Sequence, residues 1–315
     1  MKYLFREILL FSLIPLIILW VNSNHGIHSK DFNQSLVDYL IKYDSISIQV
    51  NINERGVTRE RVRRDSVNLI STVVLGSSRS MLFGEPIGRV VKNYSMSGAI
   101  LSDFENVYSE MKNSSVRFDT IYIEVSPWIF NSNVEERRFE DWEEQNHYDL
   151  RTLKKYLSVK YFLDNISLNK FGRVVDEDKF IRYSDGTIKY DREYRTGNSR
   201  RKILDYISKF PVYHLEGFNE INSLKEDGFV KLISELKSEG KFVFLVKHPY
   251  PPSINDSIIS IYPNIEKTEL ILNSLEREMD VTIIGSFYPD RLGIIDSDYY
   301  DGMHLTPSGL SKLLN

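Results

Sequence analysis

The strongest constraint on the fold is a short apolar run that ends in glycine and small polar residues. Residues 69–75 read Leu-Ile-Ser-Thr-Val-Val-Leu, and Gly76, Ser77, Ser78 and Arg79 follow directly. A run rich in β-branched residues is typical of a strand buried in a parallel sheet, and glycine lets the chain turn sharply at its end. The run therefore predicts an open α/β fold with small polar side chains at the carboxyl edge of the sheet, where such folds bind their ligands.

The rest of the chain alternates strand and helix patterns. Further strands are predicted at 89–96, 120–125, 241–246 and 281–284, and helices at 99–111, 220–239 and 268–279. Alternation of this kind predicts a parallel sheet with helices on both faces, which is a three-layer α/β/α architecture. Because the polar blocks of the sequence follow these strands, they are expected to meet at one edge of one sheet.

A second polar block lies near the carboxyl terminus. Asp301-Gly302-Met303-His304 places an acid and a base three residues apart. Together with a serine, these side chains are the parts of an activated nucleophile. Asp301 has a structural alternative as a helix cap, although Thr306 followed by Pro307 is the better cap for the last helix.

Other residues compete for the same roles. Ser77 and Ser80 are alternative nucleophiles, because they share the loop with Ser78. His248 also follows a predicted strand and is an alternative base, although a position lining the site or packed locally suits it better. No pattern of metal ligands and no phosphate-binding glycine pattern occurs in the sequence, so neither a metal nor a cofactor is expected.

The two polar blocks together resemble the SGNH (GDSL-like) hydrolase superfamily. That superfamily carries its nucleophile in a Gly-Asp-Ser-like block and an Asp-x-x-His block near the carboxyl terminus. The resemblance implies that Ser78 is the nucleophile, that His304 is the general base, and that Asp301 orients the histidine. It also implies a flavodoxin-like parallel sheet.

Two intermediate blocks extend the resemblance. Residues 93–98, Asn-Tyr-Ser-Met-Ser-Gly, are similar to the block whose glycine N–H helps to form the oxyanion hole, so the implied donors are the backbone N–H groups of Ser78 and Gly98. Residues 121–128 stand where the superfamily usually carries Gly-x-Asn, and no asparagine occurs there. The third oxyanion donor is therefore unassigned.

The end of that last block resembles one membrane-anchored branch of the superfamily. Ser126-Pro127-Trp128 is similar to the ending found in D-alanyl-lipoteichoic acid biosynthesis protein D and in envelope-polysaccharide acylation proteins. The resemblance implies an envelope glycan or an acyl-carrying substrate, with a membrane O-acyltransferase as a candidate partner. Candidate substrate-binding residues are Arg79, Ser126, Trp128 and His248, although an arginine in such a place is more often part of a structural ion pair.

Composition is that of a folded protein without thiol chemistry. The 315 residues are 42% hydrophobic and 27% charged, which suits one large core or one core with a sizeable insertion. The net charge of −4 gives no general attraction to nucleic acid. The absence of cysteine excludes disulfides, thiol catalysis and zinc–thiolate sites.

The amino terminus predicts the topology. Residues 8–21 are apolar except for Ser12 and Pro15, and Lys2 and Arg6 precede them. Basic residues before an apolar run place the amino terminus inside, so the rest of the chain is expected outside the cytoplasm, in the periplasm or at the cell surface. An uncleaved anchor is favoured over a signal peptide cleaved after Ser23, and both are favoured over a buried core helix.

The predicted organisation is a membrane segment at 1–22, an approach segment at 23–66 and an SGNH-like domain at 67–315. The approach segment holds five arginines among acidic residues: Arg55, Arg59, Arg61, Arg63 and Arg64. Such a mixture usually marks a solvated face and less often a contact with anionic headgroups or an anionic polymer.

An insertion of about residues 131–212 interrupts the alternation after the third strand. It contains a hairpin pattern at 180–190, in which Asp185-Gly186 suits a type I′ turn. As a cap over the site, the insertion would offer aromatic rings that stack on sugars: Trp142, Tyr183, Tyr190 and Tyr194. Packing of these rings into the insertion's own small core is the commoner arrangement.

Three functional classes remain open from the sequence. They are acyl transfer on an envelope polysaccharide or lipid-linked glycan, ester hydrolysis by the same architecture, and binding of a glycan or partner without catalysis. Ser78, Asp301 and His304 argue against the third class, because a binding module has no need of all three.

Overall fold

A five-stranded parallel sheet forms the centre of the molecule in the computed structural model. The structure describes residues 13–20, 30–47, 52–66, 70–84, 91–134, 179–208 and 214–315. Its strands are β1 (Ser45–Ser47), β2 (Thr72–Leu75), β3 (Val91–Asn93), β4 (Thr120–Glu124), β5 (Ile181–Tyr183), β6 (Ile188–Lys189), β7 (Phe242–Lys247) and β8 (Thr282–Gly285). The central sheet has the order β3-β2-β4-β7-β8, and every pairing in it is parallel.

Helices connect and cover these strands. They are α1 (Lys30–Tyr43), α2 (Glu54–Asp65), α3 (Leu101–Asn113), α4 (Arg192–Thr196), α5 (Ser199–Ser208), α6 (Ser223–Ser238), α7 (Pro252–Ile261), α8 (Asn264–Met279) and α9 (Pro307–Leu314). Helix α6 packs against β7 and α8, while α8 and α9 pack against β8. Parallel strands buried in this way read as continuous apolar runs, and Val73, Val74 and Leu75 of β2 are fully buried.

The predicted alternation of strands and helices is confirmed, with small differences at the ends of elements. The first strand ends at Leu75 as predicted, whereas β3 ends at Asn93 instead of residue 96. Helix α7 was not predicted, because its sequence begins with two prolines and continues with polar residues. The second proline lies in the first turn of the helix, where its missing N–H costs nothing, and Ile254 and Ile258 are buried.

The approach segment folds into helices and a strand that pack on the domain. Helices α1 and α2 and strand β1 share a small apolar core with the following buried residues: Leu36, Val37, Leu40, Ile46, Ile52 and Val57. Helix α2 also packs along α3.

The expectation that the arginine cluster forms a solvated face is wrong for Arg55 and Arg61, which are buried, whereas Arg64 is exposed. Arg55 donates two hydrogen bonds to the buried carboxylate of Asp103 on α3, at 2.7 and 2.6 Å. Arg61 is also buried and donates to the carbonyl of Asn93 at 2.8 Å. Arg59 and Arg63 pair with Glu110, and Arg64 pairs with Asp38. Three of the arginines therefore join α2 to α3 through ion pairs, and Arg61 joins it to the end of β3 through a hydrogen bond.

The hairpin of the insertion pairs with this segment. Strands β1, β5 and β6 form a separate antiparallel sheet in the order β1-β5-β6. The hairpin prediction at 180–190 is confirmed, but the type I′ turn is not, because Gly186 has a positive φ of 93° and Asp185 does not. The carbonyl of Asp185 accepts a hydrogen bond from the N–H of Asn93 at 2.7 Å, so the turn touches the end of β3.

Most of the predicted membrane segment lies outside the described residues. Residues 13–20 are helical, and Leu13, Ile14, Leu16, Ile17 and Trp20 are exposed on them. Among the helices that the structure describes, none has both the length and the apolar character required to cross a bilayer.

Candidate active site

The carboxyl edge of the central sheet brings Ser78, His304 and Asp301 together. The Nε2 atom of His304 lies 2.9 Å from the hydroxyl oxygen of Ser78. Its Nδ1 atom lies 2.9 Å from Oδ2 of Asp301 and 3.1 Å from Oδ1. The predicted proximity of these side chains is therefore confirmed.

Local backbone bonds fix the turn that carries Asp301 and His304. Oδ1 of Asp301 accepts hydrogen bonds from the N–H groups of Met303 and His304, at 2.7 and 2.8 Å. The N–H of Tyr300 donates to the carbonyl of His304 at 2.8 Å, so the turn is closed on itself. Helix α9 then begins with Thr306 as its cap and Pro307 in the first turn, as the sequence predicts. The spacing of three residues lets one carboxylate hold both the backbone and the imidazole.

Asp301 stays ionised in this setting. Burial raises the pKa of its carboxyl group, but the hydrogen bond and charge of His304, together with other donors, outweigh burial and leave the pKa below its usual value. The side chain of Asp301 is 23% exposed and that of His304 is 15% exposed, so solvent reaches the pair.

The loop after β2 is organised by Glu124 at the end of β4. This buried carboxylate accepts hydrogen bonds from the N–H of Ser77 at 2.7 Å and from the hydroxyls of Ser77 and Ser80 at 2.8 to 2.9 Å. The hydroxyl of Ser126 also donates to it. Gly76 permits this close approach, because a Cβ there would lie 2.7 Å from Ser80 Cβ and 2.9 Å from Glu124 Cβ.

This network separates the serines of the loop by role. The hydroxyls of Ser77 and Ser80 are buried and turned toward Glu124, whereas that of Ser78 is partly exposed and faces His304. The alternative nucleophiles are thus held away from the imidazole. Among the described residues, no acceptor pairs with the backbone N–H of Ser78, which leaves this donor available for an oxyanion.

Gly98 lies in the loop after β3, beside the loop that carries Ser78. Its φ of 58° is in the left-handed region that glycine adopts without strain. The loop is held against the end of β2, because the N–H of Met96 donates to the carbonyl of Gly76 at 2.9 Å. This placement keeps Gly98 near the edge of the sheet at which Ser78 stands.

The structure places the four candidate substrate-binding residues below the surface of the site. Exposure is 1% for Arg79, 4% for Ser126, 1% for Trp128 and 0% for His248. The guanidinium of Arg79 donates to the carbonyls of His248 at 2.9 Å and of Pro249. These bonds tie the loop that carries Ser78 to the loop after β7. The carbon Cζ of Arg79 also lies 6.0 Å from the ring centre of Trp128.

His248 is a buried neutral imidazole beside a different serine. Its Nε2 atom lies 3.5 Å from the hydroxyl of Ser80. Burial, together with the positive charges of Arg79 and His304, holds its pKa well below the usual range. The alternative base is therefore placed next to a serine that donates to Glu124, and His304 is the imidazole that reaches Ser78.

The tyrosines of the insertion surround the imidazole of His304. The ring centre of Tyr190 lies 5.7 Å from that of His304 and 4.4 Å from that of Tyr194. The hydroxyl of Tyr194 donates to Oδ2 of Asp301 and lies 3.3 Å from Nδ1 of His304. These two rings therefore pack on the candidate site instead of forming a core within the insertion. Tyr183 lies in β5, and Trp142 lies outside the described residues.

Sequence reasoning missed the parts played by Glu124 and Tyr194. Glu124 is an acid at the end of an otherwise apolar buried strand, opposite a glycine and serines, and this pattern could have revealed it. Tyr194 has no comparable signal, because its contact joins residues 107 positions apart. Within the described ranges, no group of three or more histidine, aspartate or glutamate side chains could hold a metal ion.

Comparisons with known proteins give distant structural likenesses. No family model matches the chain, and no curated protein matches its sequence. One similar solved structure is a catalytic mutant of an acetylxylan esterase from Geobacillus stearothermophilus, with 12% identity, a TM-score of 0.39, and coverage of 78% of this chain and 90% of that one. Another is a Bacteroides fragilis protein described as an acylhydrolase, with 12% identity, a TM-score of 0.40, and coverage of 81% and 91%.

Proposed function

We propose that this protein is a serine-dependent acyl-transfer enzyme of the SGNH type that acts on a cell-envelope polysaccharide or a lipid-linked glycan. The observation that carries the proposal is the hydrogen-bonded chain from the partly exposed hydroxyl of Ser78 through His304 to Asp301. A serine hydroxyl is a weak nucleophile, and an adjacent base is what activates it.

The reaction runs through an acyl-enzyme. Nε2 of His304 takes the proton of Ser78 while the serine oxygen attacks the ester carbon of an acyl donor. Asp301 stabilises the imidazolium, which returns the proton to the leaving alcohol. A glycan hydroxyl then attacks the acyl-Ser78 ester, His304 accepts its proton, and Ser78 is regenerated with the acyl group on the glycan.

The negative charge on the carbonyl oxygen needs donors already in place. The backbone N–H of Ser78 is unpaired among the described residues and Gly98 stands at the same edge, so both are the proposed donors. One such donor is worth about 3 kcal/mol of transition-state stabilisation. The residues beneath the loop, Glu124 and Arg79, support it without touching substrate.

Ester hydrolysis is the second candidate function, and solvent access to the site favours it. The side chains of His304 and Asp301 are 15% and 23% exposed, so water can reach the acyl-enzyme in place of a sugar hydroxyl. The two activities share every step up to the acyl-enzyme and differ only in the acceptor.

The first experiment tests the shared step. Purified full-length protein is incubated with 4-nitrophenyl acetate, and we expect release of nitrophenol and an acetyl group on Ser78 by peptide mass spectrometry. Ser78→Ala and His304→Ala should each abolish turnover, and the double variant should be scarcely worse, because residues that act as one unit lose their function together. Ser223→Ala, at an exposed serine, is the matched control. Full turnover by Ser78→Ala would refute the proposal.

A second experiment distinguishes transfer from hydrolysis. Envelope glycans from cells that carry wild-type protein or Ser78→Ala are compared for acyl content, at equal amounts of protein in the membrane fraction. Lower acyl content in the variant supports transfer and higher content supports an esterase. Unchanged content would contradict both and favour a protein that binds a glycan or a membrane O-acyltransferase without catalysis.

The proposed location is the membrane, with the catalytic domain outside the cytoplasm. The support is Lys2 and Arg6 before the apolar run of residues 8–21. A reporter enzyme fused after Asn315 should be active only outside the cytoplasm, and a fusion active only inside would overturn this topology.

A further inference from the structure

The geometry points to Tyr194 as a positioning residue of the site, acting on His304 through the carboxylate of Asp301. This inference rests on the proposed function, in which His304 is the base. It assigns to the insertion a group in the hydrogen-bonded chain, which then runs from Tyr194 through Asp301 and His304 to Ser78.

The two oxygens of the Asp301 carboxylate differ in all but one of their partners. Oδ1 accepts the backbone N–H groups of Met303 and His304, so it holds the turn. Oδ2 accepts the hydroxyl of Tyr194, and it is the nearer of the two oxygens to Nδ1 of His304, at 2.9 Å against 3.1 Å. Because Nδ1 carries the proton when Nε2 accepts from Ser78, the tyrosine hydroxyl directs its hydrogen to the carboxylate. Without Tyr194, Oδ2 would keep the imidazole as its partner and lose the second donor that fixes its direction.

The tyrosine is held in place independently of that hydrogen bond. It lies in the short helix α4, whose first turn is capped by the side chain of Asp191, which accepts from the N–H of Tyr194 at 2.7 Å. The Nζ atom of Lys202 lies 4.3 Å from the centre of the Tyr194 ring and donates to the Tyr194 carbonyl at 2.8 Å. The ring also packs on those of Tyr190 and Tyr300.

Burial and the charge of Asp301 raise the pKa of the Tyr194 hydroxyl, so it stays protonated and acts only as a donor to the carboxylate. A hydrogen bond to the carboxylate draws negative charge away from the imidazole. The tyrosine thus limits how strongly Asp301 stabilises the imidazolium, and it orients Oδ2 toward Nδ1. Its removal should strengthen the hydrogen bond between Asp301 and His304 and loosen the orientation of the ring.

Other groups also face His304 from the elements packed around it. Ser78 comes from the loop after β2, Tyr190 from the end of β6, and Tyr300 from the preceding turn. His248, from the loop after β7, is neutral and interacts with the charge of His304. Asp301 is the acid that pairs with His304 among the described residues. A change at Tyr194 therefore acts on His304 mainly through Asp301.

The test compares two tyrosine-to-phenylalanine variants that differ in one bond. Tyr194→Phe removes the hydroxyl that donates to Asp301, whereas Tyr190→Phe removes the hydroxyl of a partly buried tyrosine that makes no hydrogen bond to Asp301 in the described structure. Both variants keep an aromatic ring in the cluster, and thermal melts check that both are folded.

The main readout is the Nδ1–H proton of His304, observed by NMR in the folded full-length protein and assigned with His304→Gln. Because the carboxylate then loses its other side-chain donor, we expect Tyr194→Phe to move this resonance downfield, Tyr190→Phe to leave it in place, and Asp301→Asn to move it upfield. A resonance in Tyr194→Phe that is unchanged or moved upfield would overturn the inference. This readout does not depend on activity, so it stands or fails separately from the proposed function.

Kinetics supply the second readout. In the turnover of 4-nitrophenyl acetate, Tyr194→Phe should lower kcat roughly tenfold with little change in KM and move the acid limb of kcat/KM to higher pH. A fall in activity with an unmoved acid limb would indicate a merely structural tyrosine and would contradict the inference.

Discussion

Replacing Glu124 by alanine is the sharpest test of how the loop that carries Ser78 is held. The carboxylate of Glu124 is 2% exposed and accepts hydrogen bonds from Ser77, Ser80 and Ser126. Glu124→Ala leaves the buried N–H of Ser77 without an acceptor, and it takes the acceptor from three hydroxyls. The loop that carries Ser78 then has no anchor at the end of β4.

The size of the effect follows from these partners. A buried N–H without an acceptor costs about 1–3 kcal/mol. Loss of the acceptor costs less free energy at the three hydroxyls, because they can rotate toward one another. Ser77 Oγ also already accepts from the N–H of Arg79 at 3.2 Å. With the cavity left by the side chain, we expect a loss of about 3–5 kcal/mol in the free energy of unfolding. For a domain of this size, that is a fall in Tm of about 6–20 °C.

The assay is thermal unfolding followed by circular dichroism, with acylation of Ser78 measured in parallel. Glu278→Ala is the matched control, since Glu278 is an exposed acid on α8. Glu124→Gln should lie between the two, because its amide oxygen can still accept from Ser77. If Glu124→Ala melts within about 1 °C of Glu278→Ala, the carboxylate does not hold the loop and this account of the site is wrong.

Other predictions concern the turn at 301–304 and the buried imidazole. Gly302→Ala should cost about 1–3 kcal/mol of stability, because a Cβ there would overlap Cβ and the ring of Tyr206. Adding Tyr206→Ala, which removes the ring and keeps that Cβ, should recover only part of the loss in a double-mutant cycle. Because the folded pKa of His248 is depressed, the free energy of unfolding should decrease as pH falls from ~6.5 to ~5. In urea titrations over this range, His248→Gln should make the free energy of unfolding depend less on pH. The folded pKa of Asp301 is also lowered, so its stabilisation relative to Asp301→Asn should be present above pH ~4 and should be lost as pH falls through the folded pKa.

The sequence predicted the central sheet and the main residues of the site because both rest on local patterns. A buried parallel strand such as β2 is a continuous apolar run, and the residues after it must lie at the carboxyl edge whatever their partners. Ser78 follows β2, and Asp301 and His304 lie in the segment after β8, so all three belong to one edge of the sheet. Because β4 and β7 separate β2 from β8, the segment after β8 must also run back along that edge to bring His304 to Ser78.

The features that the sequence did not predict depend on contacts between distant segments of the chain. The arginines of α2 look like a solvated face in sequence, but Asp103 and Glu110 on α3 are their partners. No periodicity reveals that pairing. The position of Tyr194 likewise depends on where the insertion docks, and the turn of the hairpin depends on its contact with the end of β3.

The pairing of β1 with β5 has a consequence for the order of folding. These strands are separated in the chain by β2, β3 and β4, so their antiparallel register closes a very long loop. Closing such a loop is entropically costly, and contacts of this kind form late, after local units and neighbouring strands have assembled. The same hairpin leads directly into α4, which brings Tyr194 to Asp301. Native helix and sheet content should therefore return before any turnover of 4-nitrophenyl acetate when the denatured chain is diluted into buffer, because a contact that forms late completes the environment of the imidazole.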